Sequence, residues 1–476
     1  MTCKRFHRLA VFATVALVGC NRVPANDPRM VSEWMHTLYG VVRAERVSPP
    51  IGSRLFAYAS IALYSGLATG EPSMPPLAGA VNGFPVLPPR EDGKMYDGTL
   101  VAVAAERVVM DSLLREGLPT TRATVRRLAD SLERVRIASG SEETHARSLD
   151  MGRKIGYAIV LYAHGDGFDS TRGRTYVAPV GQGMWVNDSP GFTFAPQNLS
   201  GASTFVGLDN PANIRRSGNA SDRELIMNRP KRLGSGTLPP VNMAGATEPF
   251  WGQLRPFVLK SWNECDAAVA PVYGTIPGTP LYDEAKVVYD INKHLTADQK
   301  ATALFWADNP GESGTPTGHW LAIASQMVSE KQLTAAQAAR LMTVTSLSLA
   351  DAFITVWGYK FRMNLIRPRT YIRAVMDSTW EPAISTPPFP EYMSGHSALS
   401  AAAATAIAAQ LGEVAFEDST SIALGHPERK FASFRAAADE AGMSRIYGGI
   451  HFPSGNRVGG TVGRCIGGKV AERVKK

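Results

Sequence analysis

The sequence predicts an all-α protein with a helical-bundle core and one long irregular insert. Apolar residues recur at the three- and four-residue spacing of helices along most of the chain, and no stretch of any length alternates as a β-strand does. Residues 168–280 are instead crowded with Gly, Pro, Asn and Ser. An irregular stretch of this length is uncommon inside a compact domain, and it is usually functional or wraps the surface.

The composition excludes several classes of protein. The chain has 476 residues, of which 44% are hydrophobic and 19% are charged, and these values exclude a disordered chain. Four cysteines are too few for a disulfide scaffold, and a mean hydropathy of −0.10 argues against a polytopic membrane protein. The net charge is +8, but no basic run with interleaved aromatic residues points to a nucleic-acid partner.

The N-terminus is typical of a secretory signal. Basic side chains precede an apolar stretch over residues 9–18, which is too short to span a bilayer. The stretch ends in Leu17-Val18-Gly19-Cys20, which resembles a bacterial lipoprotein signal. We therefore expect removal of residues 1–19, a lipid on Cys20 and a membrane-anchored protein of the cell envelope. An ordinary signal peptide that happens to contain Cys20 is the alternative.

Signal removal would lower the net charge from +8 to +5 and would also remove Cys3. Besides Cys20, this leaves Cys265 and Cys465 in an oxidising compartment. Their 200-residue separation is compatible with a disulfide and equally with two buried thiols.

The remaining chain divides into four parts. Residues 20–50 are polar and contain prolines, which predicts a tether, and an N-terminal helical part follows over 51–170. The loop-rich insert covers 171–280, and a C-terminal helical part covers 281–476. Helical spacing predicts helices over about 53–69, 97–116, 121–138, 142–162, 281–295, 297–307, 318–330, 335–364, 396–411, 430–446 and 455–473.

Three short segments of the C-terminal part carry side chains suited to chemistry. In the first, Lys360 and Arg367 are seven residues apart, so two helical turns would place them on one face. Pro368 disfavours helix at Arg367 and would free its guanidinium at the helix end. The alternative is a solvated basic helix end that complements the helix dipole.

The second segment is a proline-rich stretch that leads into Ser394-Gly395-His396 at a predicted helix N-terminus. Free N–H groups there suit a bound oxyanion, although Ser394 could simply cap the helix. The third segment holds Arg445 at a helix end and His451 in the turn before the last helix, where a purely structural histidine is the alternative. Together the three segments would form a cage of cations and hydrogen-bond donors around a tetrahedral anion, with a histidine nitrogen left for its central atom.

The ordered set from Lys360 to Arg367-Pro368, then Ser394-Gly395-His396, then Ser444-Arg445 to His451 resembles the signature shared by vanadium-dependent haloperoxidases and type 2 phosphatidic acid phosphatases. The resemblance covers about residues 300–476. Trp357 and Phe389 resemble residues that flank the halide position in chloroperoxidase-type members, which favours the haloperoxidase branch. Asp308 lies in a segment that resembles the one whose aspartate pairs with the anion-binding arginine, here Arg445.

The resemblance implies a vanadate (V5+) cofactor and roles for the site residues. The vanadate oxygens would be bound by Lys360, Arg367, Ser394, the Gly395 N–H and Arg445. His451 Nε2 would bond the vanadium, and His396 would act as acid and base. Lys360 would also polarise the bound peroxide so that halide attacks it and hypohalous acid is released. The implied partners are hydrogen peroxide, a halide and an organic acceptor where one is used, and Trp357 with Phe389 is compatible with chloride, bromide or iodide.

Two alternatives belong to the same superfamily. One is an acid phosphatase in which His451 attacks phosphorus, and the other is a non-catalytic relative that binds vanadate or phosphate. Met393 stands where the family usually has Pro, and Gly455 stands where members commonly carry an Asp that orients the final histidine. Gly455 weakens the phosphatase alternative most, and Asn456 or a backbone carbonyl would have to orient the ring instead.

Overall fold

The computed structural model describes residues 27–138, 140–172, 174–188, 245–266 and 269–475. The expected signal segment, Cys20 and residues 189–244 of the insert lie outside the described residues. A single helical turn, Phe168–Thr171, stands at the start of the insert. The described parts of the insert also contain a 3₁₀ helix, Trp251–Gln253.

The fold is all-α, as predicted. The N-terminal part contains α1 (Arg29–Ala44), α2 (Pro49–Gly70), α3 (Gly98–Leu113), α4 (Pro119–Ile137) and α5 (Glu142–His164). The C-terminal part contains α6 (Pro280–Lys293), α7 (Ala297–Phe305), α8 (Thr315–Glu330), α9 (Ala335–Met363), α10 (Pro368–Val375), α11 (Gly395–Leu411), α12 (Phe434–Tyr447) and α13 (Pro453–Arg473). Most boundaries differ from the predicted ones by a few residues at most, because local signals mark them. Examples are the N-cap residues Thr334 and Ser141 and the proline at the first helical position, Pro453.

Three parts of the fold correct the sequence prediction, and the first is α10 (Pro368–Val375), which lies between the predicted helices over 335–364 and 396–411. Residues 29–44 of the predicted tether form α1, which packs against α8 through a buried stripe that includes Trp34, Met35 and Leu38. These apolar residues recur at helical spacing in the sequence, so the tether prediction overlooked a signal that was present. A small antiparallel pair, β1 (Phe416–Asp418) with β2 (Arg429–Phe431), also forms, and its three-residue strands are too short to show alternation.

Helix α9 is the centre of the molecule. It contacts α2 of one helical group and both α11 and α13 of the other. Among the described residues, α9 alone is long and apolar enough to cross a membrane, and 94% of its most apolar window is buried inside the protein. It is therefore a core helix, and its C-terminal turn reaches the place where α11 and α13 begin.

Helices α11 and α13 pack closely along glycines of α13. A Cβ atom at Gly463 or Gly467 would overlap a backbone carbonyl of α11, at Ala398 and Ala402 respectively. This close packing brings the N-termini of the two helices together. The disulfide Cys265–Cys465, with a Cα–Cα distance of 5.9 Å, ties the insert to α13 and decides between the two predicted states of these cysteines.

Glu106 in α3 is a buried acid that the site does not use. Its side chain is fully buried, and neither carboxyl oxygen has a hydrogen-bond partner among the described residues. Burial raises its pKa well above the usual value for glutamate, so the folded protein retains a proton that the unfolded chain releases as pH rises past about 4.5. Folding is therefore penalised increasingly as pH rises above this point.

Replacing Glu106 with methionine is expected to stabilise the protein, because an unbranched apolar side chain fills the same space without an unpaired polar group. We expect the free energy of unfolding to rise by about 1–3 kcal/mol at pH 8 and by less at pH 4. Urea denaturation at both pH values measures this, with exposed Glu330→Met as the control. An equal gain at both pH values would contradict the proposed linkage to protonation.

Candidate functional site

Lys360, in the last turn of α9, is fully buried and holds the proline-rich loop. Its Nζ donates to the carbonyl oxygens of Pro390, Glu391 and Met393 at 3.0, 2.8 and 2.7 Å. Burial and the neighbouring Arg367 guanidinium keep the pKa of Lys360 well below its usual value. The amine therefore anchors the loop, a role that the sequence did not predict, and binding an anion would require it to exchange one of these contacts.

Arg367 reaches the site from a different element than predicted. Helix α9 ends before Asn364, which has a left-handed φ of 49°, and Arg367 is the N-cap residue of α10. The break between the two helices at Asn364, and not helical periodicity, therefore sets the position of Arg367 relative to Lys360. Its Nε donates to the Phe389 carbonyl at 2.8 Å, and its Nη1 donates to the Ile450 carbonyl at 2.8 Å. Its buried Nη2 has no partner in the described part of the chain.

Ser394 begins α11 as its N-cap residue, which is the capping role that the sequence left as an alternative. Its Oγ accepts from the Ser397 N–H at 3.3 Å and from the Ser397 hydroxyl at 2.8 Å. Gly395 and His396 occupy the first turn and line the same cavity as His451. The helix N-terminus is thus directed at the site, with the polarity that suits an anion.

Asp308, the predicted partner of Arg445, acts on it through its charge, and Arg445 donates hydrogen bonds to backbone carbonyls and Ser444. Arg445 donates from Nη2 to the carbonyls of Trp306 at 2.7 Å and Ala303 at 3.2 Å. Burial lowers the pKa of Arg445 to about 10, and the Asp308 charge opposes this shift. Asp308 itself accepts from His319 Nδ1 at 3.1 Å and lies 3.9 Å from His396 Nε2.

His319 is a buried histidine that no sequence motif indicated. Its two ring nitrogens contact Asp308 and Asp418, the latter at 2.9 Å, and its ring stacks on Trp306 with centroids 4.6 Å apart. The two carboxylates outweigh the effect of burial and raise its pKa to about 10. The resulting cation holds Asp308 in place below His396.

His451 is oriented by a carboxylate that the sequence did not reveal. Its Nδ1 is 2.7 Å from Glu391 Oε1, which also accepts from the Phe452 N–H at 3.0 Å. Its Nε2 is 3.1 Å from Arg367 Nη1, which can only donate. This network assigns the proton to Nδ1 and leaves Nε2 unprotonated, with its lone pair accepting from Arg367. Binding a metal through Nε2 would require it to exchange this contact. Asn456 contacts Ser397 instead of the ring.

Both site histidines are neutral at neutral pH. Burial and the surrounding cations, first among them Arg445 for His396 and Arg367 for His451, hold both pKa values well below the usual value for histidine. Burial also lowers the pKa of Arg367 to about 9 and raises the pKa of Glu391 to about 7. A bound anion would offset the clustered positive charge and favour the charged forms of the basic groups.

A narrow cavity of about 80 Å³ leads to these groups. Trp357 and Phe389 form one wall with ring centroids 5.0 Å apart, and Phe353 and Leu399 extend the apolar lining. The Trp357 Nε1–H donates to the carbonyl of Thr247, in the part of the insert that returns to the site. The predicted halide-side pair therefore lines the same cavity as His396, of which 18% of the side chain is exposed.

The structure brings together the predicted site residues Lys360, Arg367, Ser394, Gly395, His396, Arg445 and His451, with Trp357, Phe389 and Asp308 beside them. The donor set fits an oxyanion such as vanadate. Arg367 Nη2 and His396 Nε2 are buried nitrogens without partners among the described residues, and they border an unprotonated His451 Nε2. A tetrahedral oxyanion would accept from Arg367 Nη2 and offset the clustered cations, and a protonated oxygen of that anion could donate to His396 Nε2.

Comparison with known proteins agrees with this geometry. Residues 340–476 match the family model described as the VCPO second helical-bundle domain. The crystal structure of a bacterial vanadium-dependent iodoperoxidase is similar over 94% of this chain and 96% of its own, with 29% sequence identity and a TM-score of 0.75. No curated protein matches the sequence.

Two further solved structures share the fold. The apo form of a bacterial vanadium-dependent chloroperoxidase is similar over 90% of this chain and 94% of its own, with 14% identity and a TM-score of 0.63. The holo form of a bacterial vanadium-dependent chloroperoxidase is similar over 90% of this chain and 92% of its own chain, with 16% sequence identity and a TM-score of 0.58.

Proposed function

Since residues 340–476 match a haloperoxidase family model and nearly the whole chain resembles a bacterial iodoperoxidase, we propose that the chain belongs to the vanadium haloperoxidase superfamily. We further propose that it is a vanadate-dependent haloperoxidase that oxidises halide with hydrogen peroxide to hypohalous acid. One observation carries the proposal. The unprotonated Nε2 of a buried, neutral His451 faces a cluster of buried cations at the inner end of a cavity walled by Trp357 and Phe389. This combination suits an oxyanion cofactor with a small anionic substrate beside it.

Vanadate, when bound, would supply a Lewis acid that activates peroxide without a change of metal oxidation state. Arg367, Arg445 and the N-terminus of α11 would hold its oxygens, and His451 would bind the metal through Nε2. Neutral His396 can accept a proton at Nε2 and later return it. Trp357 and Phe389 exclude water from one side and leave an apolar approach for the halide.

Iodide is the halide we propose first. The iodoperoxidase is more similar to this chain than either chloroperoxidase structure, and the approach past Trp357 and Phe389 is apolar. An apolar approach penalises a strongly hydrated anion such as chloride more than the larger, weakly hydrated iodide, because more hydration energy is lost on entry.

An acid phosphatase remains the second candidate. The sequence argument against it was the absence of an aspartate at position 455, but Glu391 supplies a carboxylate to His451. A nucleophilic histidine with this support is chemically competent for attack on phosphorus. The aromatic wall of Trp357 and Phe389 favours the haloperoxidase, because a phosphate monoester has no need of an apolar anion approach.

A membrane-anchored location in the cell envelope is also part of the proposal, with the lipid on Cys20. The Cys265–Cys465 disulfide supports it, because disulfides persist in oxidising compartments. Mass spectrometry of Cys20 from the native membrane fraction tests the anchor. Recovery of a soluble mature chain with an unmodified N-terminus would contradict it.

The activity itself is tested with purified protein freed of phosphate and then loaded with vanadate. We expect peroxide-dependent iodination of an organic probe that requires vanadate, with slower bromination and the slowest chlorination. Aryl phosphate hydrolysis by the vanadate-free protein is the parallel assay. Robust phosphate release without halogenation would replace this proposal with the phosphatase, and inactivity in both assays would favour the non-catalytic relative.

A further inference from the structure

We propose that Glu391 of the proline-rich loop is the positioning residue of His451, and that Gly455 is the complementary residue that makes space for it. The family resemblance places this carboxylate on the last helix, four residues after the histidine. In this chain it comes from the loop that also carries Phe389 and Ser394. The inference rests on the proposed function only in taking His451 as the ligand of the anion.

The Glu391 carboxylate is held firmly. Its side chain is fully buried, and Oε1 accepts from both His451 Nδ1 and the Phe452 N–H. The backbone on either side is also held, because the Glu391 N–H donates to the Leu365 carbonyl at 3.0 Å and its carbonyl accepts from Lys360. A carboxylate fixed in this way can hold the imidazole in one tautomer and one orientation.

The presence of glycine at position 455 is explained by the space that the Glu391 side chain occupies. Gly455 lies in the first turn of α13 without a positive φ, so the conformational freedom of glycine is not needed there. Glycine in a helix costs up to about 1 kcal/mol relative to alanine, so some other requirement must favour it. A Cβ atom at this position would lie 2.5 Å from Glu391 Oε1 and 3.1 Å from Oε2, inside the space that the carboxylate occupies.

A side chain at position 455 and the Glu391 carboxylate would occupy the same volume, so the protein can accommodate only one of them. Aspartate added alone, as in Gly455→Asp, would place a second carboxylate against the first. The structure predicts that this substitution damages the site unless Glu391 is removed at the same time.

The test uses the full chain without vanadate as E391A, E391Q, G455D and the double variant E391A/G455D, with G468D as an exposed control on α13. The first measurement is the tautomer of the His451 ring by ¹⁵N NMR, with H451A assigning the signal. We expect Nδ1–H in the wild type, E391Q and the double variant, and loss of this preference in E391A.

The second measurement is the affinity for vanadate by calorimetry. We expect E391A to bind about 10–100-fold more weakly and E391Q to lose less, because its amide oxygen still accepts from Nδ1. G455D should also weaken binding, whereas E391A/G455D should recover to within a few-fold of the wild type. Thermal unfolding confirms that each variant is folded.

Wild-type tautomer and affinity in folded E391A would overturn the inference, and so would a double variant no better than E391A. The tautomer is read in the vanadate-free protein, so it tests Glu391 even if no halide is oxidised. Absence of halogenation with the expected tautomers and affinities would count against the proposed function alone.

Discussion

Replacing His451 with alanine is expected to abolish halide oxidation and to weaken vanadate binding by more than about 100-fold. This loss is larger than the loss expected when only a residue that orients a metal ligand is removed. The substitution removes the unprotonated nitrogen that would bind the vanadium. It also leaves Arg367 Nη1 with one acceptor fewer and Glu391 without its imidazole partner. Both oxidation rate and vanadate affinity should therefore fall together.

The measurements are vanadate titration by calorimetry and iodination of an organic probe. Replacement of the exposed His294 with alanine is the matched control and should leave both unchanged. Phosphate release should also disappear in H451A, so this variant tests the site and not the choice between peroxidase and phosphatase. Near-wild-type vanadate affinity in folded H451A would show that another group binds the metal.

Replacing Lys360 with methionine is expected to destabilise the vanadate-free protein by about 3 kcal/mol. Three carbonyls, those of Pro390, Glu391 and Met393, would lose their shared donor in a buried place. Each unsatisfied buried acceptor costs about 1–3 kcal/mol, and the release of a desolvated amine offsets part of the sum. The loop that carries Phe389 and Ser394 should loosen as well, so vanadate affinity should also fall.

Urea denaturation of the vanadate-free protein measures the first effect, with the exposed Lys331→Met variant as the control. A residue that acted only on bound peroxide would leave the stability of the vanadate-free protein unchanged. Wild-type stability with lost oxidation would therefore refute the anchoring role and favour the polarising role that the family resemblance implies.

The sequence predicted the helices well because their signals are local. Apolar spacing and capping residues lie within a few positions of each boundary, as at Thr334 before α9 and Ser394 before α11. The errors have different causes. The strands β1 and β2 are too short to alternate visibly, whereas the apolar stripe of α1 was present at helical spacing and was overlooked in the tether prediction.

The members of the candidate site could be predicted from residue types and their order. Six residues have the charges and hydrogen-bonding groups that an anion site needs, and their motifs are specific enough to group them from the sequence. They are Lys360, Arg367, Ser394, His396, Arg445 and His451. Glu391 stands two residues after Phe389 in the same proline-rich stretch, so its position was visible. Its role was hidden, because nothing in a sequence states that residue 391 meets residue 451.

The sequence by itself therefore determined the all-α class, the membership of the anion cage and the anomaly at Gly455. The tertiary structure decided which groups are partners. It assigned Asp308 to His319, Lys360 to three carbonyls and His451 to Glu391. The physical reason is that a hydrogen bond depends on a distance of about 3 Å between atoms, and for residues 60 positions apart only the packing of helices sets that distance.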